Sequence, residues 1–271
     1  MKIQFEHNGI TVFESSLYRT TSTVIELGQS ILIIDPNWLP IEIDYIKKYI
    51  TLKYQNHEKY ILFTHSDYDH IIGYGAFPGA KVIATAAFSA NNSNHIILDQ
   101  ILEFDRKFYI ERNYPITYPV TNIIIGEDFY SYSIGNFECI FFNAPGHATD
   151  GVFTIIPAKN LWIAGDYLSN IEIPLIDDNY ESYIKTLQKA MEIFTEYRDV
   201  HILIQGHGDM TSERTEILQR IKNDISYLKM LKEYVSYPNK IALIELEKYV
   251  LNYANNTELL YANTNNLKQL S

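Results

Sequence analysis

The first 35 residues alternate apolar and polar positions in short runs, KIQFE, ITVFE and TVIELGQSILIID, punctuated by HNG at 7–9 and by LGQS. A period of two predicts paired strands, and the Asn-Gly step predicts a tight turn between the first two. The spacing then becomes helical in PIEIDYIKKYITLKY, with a proline at its start. KYILF and KVIAT are short buried-type strands. A rather polar helix is expected from about Asp99 to Arg112. A second strand-rich block runs from Asn122 to Asp166, with hairpin turns at IGN and PAKN. NYESYIKTLQKAMEIFTEYR is a helix, and HILIQGHG is a strand that ends in polar residues. Two helices, from about Ser212 to Tyr234 and from Ile241 to Asn252, follow, and the polar tail YANTNNLKQLS is expected to fray.

Strands, a helix, a strand with a polar end and further helices therefore occur twice. No stretch rich in Pro, Gly or Ser interrupts them. This order predicts a single domain over 1–271, built from two similar halves, with two sheets packed together and helices outside.

Composition changes this picture little. Of 271 residues 46% are hydrophobic and 20% charged, as in ordinary globular chains. No run of about 18 apolar residues is present, so no membrane span is expected. Glu6 and His7 stand where a secretion signal would need its apolar core. The single cysteine, Cys139 in FECIFF, excludes an intrachain disulfide and a Cys-based zinc site, and reads as a small buried hydrophobe. These features together predict a cytoplasmic protein. The formal net charge of −11 argues against nucleic acid as a partner, because phosphate binding needs clustered Lys and Arg. A small-molecule substrate remains, and the oligomeric state is left open, a homo-oligomer included.

Four places share one design, an apolar strand followed at once by metal-competent side chains: ILFTHSDYDH, IFFNAPGHATD, LWIAGDYLS and ILIQGHGD. Strand ends hold ligands rigidly while the adjoining loops stay open to substrate. A lone histidine after a strand is usually a surface or core residue, and Gly165-Asp166 alone is a turn. Four such pieces in one chain point to metal. His7, His57, His95 and His201 lie outside this pattern and are assigned no role.

These motifs identify a resemblance to the metallo-β-lactamase superfamily. Its HxHxDH motif corresponds to His65-Ser66-Asp67-Tyr68-Asp69-His70, its PGH to Pro145-Gly146-His147, its GD to Gly165-Asp166 and its final GH to Gly206-His207. Asp35, ending ILIID, also matches the family's early strand. The resemblance spans about residues 10 to 210 and implies a four-layer αββα sandwich with the site at one edge. It further implies two divalent metal ions. His65, Asp67 and His147 would hold the first, Asp69, His70 and His207 the second, and Asp166 would bridge both. Such a pair activates water for hydrolysis, and Asp69 would act as the catalytic proton carrier, as its equivalent does in the family.

Asp67 departs from the family pattern, which has histidine there. An anionic oxygen donor favours harder ions, so iron or manganese compete with zinc at this site. The flavodiiron proteins of the same superfamily carry glutamate here and perform redox chemistry, but this chain has no flavodoxin domain. A dinuclear hydrolase is therefore the leading reading and a diiron redox or gas-sensing protein the alternative. Near the motifs the only basic residues are Lys81 and Lys159, while Tyr68, Tyr74, Phe77 and Tyr167 are neighbours. This favours a small neutral ester, lactone or thioester, or a phosphoester held mainly by metal. Arg106, Lys107 and Arg112 are the basic residues that could still reach the site, and Glu172, Asp150 and Asp209 are candidates for supporting it.

Overall fold

The structure is a computed structural model and describes residues 1–253 and 256–270. The N-terminal half forms a seven-stranded sheet, β1 (Lys2–His7), β2 (Ile10–Glu14), β3 (Thr21–Leu27), β4 (Ser30–Ile34), β5 (Glu58–Leu62), β6 (Lys81–Thr85) and β7 (Ile123–Ile125), adjacent in that order. β1 to β4 are antiparallel, and β4 to β7 run parallel. The second sheet has five strands, β8 (Tyr130–Ile134), β9 (Phe137–Asn143), β10 (Val152–Ile156), β11 (Leu161–Ile163) and β12 (Ile202–Ile204), in the order β12-β11-β10-β9-β8. Only β11 and β12 are parallel.

The period of two sorts side chains between layers. In β4, Leu32 and Ile34 face the other sheet, while Ile31 and Ile33 face the helices. In β9, Cys139 and Phe141 face inward, and Ile140 and Phe142 face out. Both faces are covered, so these strands read as nearly continuous apolar runs. Burial raises the Cys139 thiol to about 12, so at neutral pH it packs as an uncharged hydrophobe.

Helices cover both outer faces. α1 (Pro40–Tyr54), the short α2 (Tyr68–Ile71) and α3 (Ala86–Ser89), and α4 (Asn94–Phe108) accompany the first sheet. α5 (Tyr180–Glu196), α6 (Arg214–Ser236), α7 (Lys240–Val250) and α8 (Asn256–Leu270) accompany the second. The result is the expected αββα sandwich. Pro40 opens α1 with its backbone already near helical geometry.

Two boundaries differ from the sequence reading. α4 begins at Asn94 and ends at Phe108, because Tyr109 turns into the left-handed region (φ 54°). Arg112, expected inside that helix, instead binds Asp105, the Trp38 carbonyl and the Tyr114 hydroxyl. The larger correction concerns the tail. Residues expected to fray belong to α8, whose Leu259, Asn263 and Asn266 are buried. Ser271, the last of them, lies outside the described residues.

Candidate metal centre

All seven residues singled out by the motifs converge at one edge of the sandwich, and both sheets contribute. β5 delivers Thr64 and His65; Asp67 precedes α2, which carries Asp69 and His70 in its single turn. The second sheet supplies His147 after β9, Asp166 after β11 and His207 after β12. The halves are joined at this edge by backbone bonds, Thr21 N–H to the Gly206 carbonyl (2.7 Å) and Val152 N–H to the Thr64 carbonyl (2.9 Å).

Three groups of potential metal ligands result, His65-Asp67-His147, Asp69-His70-His207 and His65-His70-Asp166, with ligand atoms within 4.8 Å of one another. Asp67 Oδ2 lies 3.5 Å from His65 Nε2 and 3.3 Å from His147 Nε2. Asp69 Oδ2 lies 3.3 Å from His207 Nε2 and 3.5 Å from His70 Nε2. Asp166 stands between the groups, with Oδ1 3.2 Å from His70 Nε2 and Oδ2 3.3 Å from His207 Nε2, 3.5 Å from His147 Nε2 and 3.6 Å from His65 Nε2. Gly206 is required by this crowding, since a Cβ there would stand 1.8 Å from Asp166 Oδ1.

Each imidazole is oriented through its other nitrogen. His147 Nδ1–H donates to the Leu175 carbonyl and His207 Nδ1–H to the Tyr18 carbonyl, both at 3.0 Å. His70 Nδ1–H donates to Asp35 Oδ2 (2.9 Å), which also accepts from the Thr64 hydroxyl (2.5 Å). That hydroxyl oxygen lies 3.0 Å from His65 Nδ1 and so accepts its proton. Asp35 thereby fixes two rings at once. A histidine whose Nδ1 donates presents a free Nε2 lone pair, the form that binds metal.

Two observations test whether metal fits. The Nε2 atoms of His65, His70 and His147 and Oδ1 of Asp166 are buried without a hydrogen-bond partner, which costs free energy unless an ion satisfies them. The site also calls for positive charge. Burial opposes protonation of His147, but its bond to Asp67 and the charge of Asp166 raise it to about 10. His70 and His207 are likewise raised well above their ordinary value despite burial, through Asp166 and Asp69 for the first and Glu172 and Asp166 for the second. Burial works against ionisation of Asp166 and Asp67, yet the surrounding histidines hold both low. Four imidazoles and three carboxylates suit first-row divalent ions, so the residues present fit the metal pair.

The other candidates separate clearly. Glu172 is partly buried 3.7 Å from His207 Nδ1, and burial raises it to about 7. Asp150 is buried and accepts from Ser66 N–H within the first motif. Asp209 pairs with Arg19 at the surface. Among the described residues, His7, His57, His95 and His201 join none of the metal-competent groups.

A cavity of about 220 Å³ opens over the ligands, walled by Tyr18, Trp38, Tyr68, Leu175, Leu259 and Ala262. Among the described residues no Lys or Arg lines it; Glu172, Asp177 and Glu258 do. Arg106, Lys107 and Arg112 are not among its lining residues. The α8 wall was not anticipated from the sequence; Tyr167 was expected near the motifs, but not its bonds, in which the hydroxyl accepts from His147 N–H (2.9 Å) and lies within donating distance of the Ala144 and Pro145 carbonyls (3.0 and 2.9 Å).

The sequence profile of the metallo-β-lactamase superfamily matches residues 17–207. The chain belongs to this superfamily. Solved structures agree on the fold. A metallo-β-lactamase family protein from Thermus thermophilus superposes with a TM-score of 0.63 at 14% identity, covering 97% of this chain and 94% of its own. The metallo-β-lactamase from Pontibacter korlensis gives 0.58 at 14%, covering 82% and 99%. The stereoselective inverting sec-alkylsulfatase Pisa1 from Pseudomonas sp. gives 0.66 at 14%, covering 90% of this superfamily member but 43% of the sulfatase. No sequence among the curated proteins matches the chain. Among the described residues of this superfamily member, no helix is long and apolar enough to cross a membrane.

Proposed function

We propose that this protein hydrolyses a small ester, lactone, thioester or phosphoester, using two divalent metal ions held by His65, Asp67, His147, Asp69, His70, His207 and Asp166. The observation that carries the reading is the convergence of these seven side chains beneath one cavity. Two ions so held would polarise the scissile carbonyl or phosphoryl group and bring the pKa of water down toward about 7.

The chain's own residues divide the remaining work. Asp35 and Thr64 hold His65 and His70 in register, so the donor atoms are placed before substrate arrives. Asp69, close to His70 and His207 and exposed to the cavity, is the proton carrier. It takes a proton from the attacking water and returns it to the leaving group. Tyr18, Tyr68, Leu175 and Leu259 give the substrate an apolar wall. With Glu172, Asp177 and Glu258 lining the cavity and no Lys or Arg among the described residues of its wall, that substrate is uncharged or cationic away from the bond it loses.

The test is a hydrolysis screen on p-nitrophenyl esters, lactones, bis(p-nitrophenyl) phosphate and a secondary alkyl sulfate, the last because Pisa1 is a sec-alkylsulfatase. We expect metal-dependent turnover that Asp69→Ala lowers by about 10²–10⁴-fold while the circular dichroism spectrum stays native. Turnover surviving Asp69→Ala would remove its proton role.

Asp67 favours a second reading, since its oxygen donor suits iron. Fast oxygen or nitric oxide consumption by the reduced iron form, with no hydrolysis across the panel, would make this a diiron redox protein instead.

A further inference from the structure

We infer that Asn266 of α8 is a positioning residue of the metal centre, acting on His147 through the backbone around Leu175. The inference rests on the reading of His147 as a metal ligand. His147 takes its orientation from the Leu175 carbonyl. Leu175 lies in no strand or helix; it belongs to the loop between β11 and α5. No sheet ladder holds its carbonyl, unlike the strand-end groups that orient His65 and His70.

Asn266 clasps that loop on both sides of Leu175. Its Nδ2–H₂ donates to the Pro174 carbonyl (2.7 Å), and its Oδ1 accepts from Ile176 N–H (2.9 Å). The second Nδ2 hydrogen goes to the Tyr227 hydroxyl (2.8 Å), which donates in turn to Asn263 Oδ1 (2.9 Å). Asn263, Asn266 and Tyr227 are buried, so this network has little water to replace a lost bond. The loop closes the circuit, because Asp177 N–H and Asp178 N–H donate to the His147 carbonyl at 3.1 and 2.9 Å. One amide on the last helix therefore sets the peptide whose carbonyl aims His147, 119 residues earlier (266 − 147).

A helix-docking role alone predicts lost stability. A positioning role predicts that one metal site changes and the other does not. The experiment compares Asn266→Leu, which keeps the volume and removes every bond, with Asn263→Leu, which removes an α8 amide bonded to Tyr227 but not to the loop. Both are loaded with cobalt(II). Affinities are read by chelator competition, the visible spectrum reports ligand geometry, and melting is followed in parallel. The cobalt titration of the wild-type protein, run first, tests the metal-centre reading on its own; no binding there overturns both. Expected for Asn266→Leu is about 10–100-fold weaker binding of one ion, an altered spectrum and an unchanged second ion, as is usual when support behind a ligand is removed. Asn263→Leu should lower the melting temperature and leave affinities and spectrum native. If Asn266→Leu does not fold, Asn266→Asp takes its place, keeping the acceptor for Ile176 but losing the donor to Pro174, with the same expectation in milder form. Native affinities and spectrum in the folded Asn266 variant, or equal weakening of both ions in both variants, would overturn the inference.

Discussion

At the scale of single residues, Asp67 is the feature that sets this centre apart. Its carboxylate occupies the position between His65 and His147 where the superfamily pattern has imidazole. Asp67→His replaces an anionic oxygen donor with a neutral nitrogen donor and removes one negative charge. We expect the zinc-over-manganese binding ratio to rise by about tenfold or more, since tenfold is only ~1.4 kcal/mol. Competitive metal loading followed by elemental analysis measures it; an unchanged ratio would mean that Asp67 holds no metal. The seven ligand candidates were legible in the sequence because His and Asp placed directly after apolar strands have no better structural reason to recur four times. The groups that aim them were only half legible. Asp35 stood out as a strand-ending aspartate, but its bonds to Thr64 and His70 depend on the parallel pairing of β4 with β5. The carbonyls of Tyr18 and Leu175 left no trace, because a carbonyl is common to every residue and only the fold selects which one faces a ring.

At the scale of elements, the sandwich was legible wherever burial follows a period, and lost where polar groups do the packing. Strands β2 to β5 and helix α5 alternate or repeat apolar positions as their layers require. α8 does not. Its buried face pairs Leu259 with Asn263 and Asn266, so the contacts that dock it look like a soluble tail in the sequence. The junction of β9 with α5 shows the opposite case, a backbone constraint marked by one glycine. Gly146 has φ +128°, and a Cβ there would lie 2.3 Å from the Tyr183 Cα and 2.4 Å from its backbone nitrogen. Backbone atoms inside a helix cannot move aside without shifting α5. Gly146→Ala should therefore cost roughly 3 kcal/mol or more. Denaturant unfolding measures this, and a loss below about 1 kcal/mol would show that the contact between the turn and α5 is loose.

At the scale of the whole molecule, a pH dependence of stability is expected from a carboxyl that is not one of the seven ligand candidates. Asp224 on α6 is buried, and burial raises it to about 8 although Leu168 N–H and Arg220 favour its charged form. The folded protein keeps this proton up to about pH 8, whereas the unfolded chain releases it near 3.9. A raised carboxyl therefore contributes its full stability below about pH 4 and loses it as pH rises toward 8. Asp224→Asn keeps an acceptor for Leu168 and cannot ionise. Its stability relative to the native protein should grow by on the order of 2–4 kcal/mol between about pH 5 and pH 8, as followed by urea unfolding at each pH. A constant difference across that range would mean that Asp224 is ionised in the fold. The net charge of −11 gives self-repulsion the same sign at alkaline pH, so the variant and not the native curve isolates the single group. The molecule also divides unequally in where its parts come from. The superfamily match ends at His207, the last ligand candidate, while Leu259 and Ala262 of the cavity wall lie beyond it. Every ligand candidate thus lies inside the superfamily match while part of the cavity wall lies outside it, so under the proposed function a different C-terminal segment would reshape that wall and leave the ligand set in place. Asn266 limits that freedom: any transplanted segment must also bring a group that grips residues 174 to 176, or the borrowed specificity arrives with a misaligned centre.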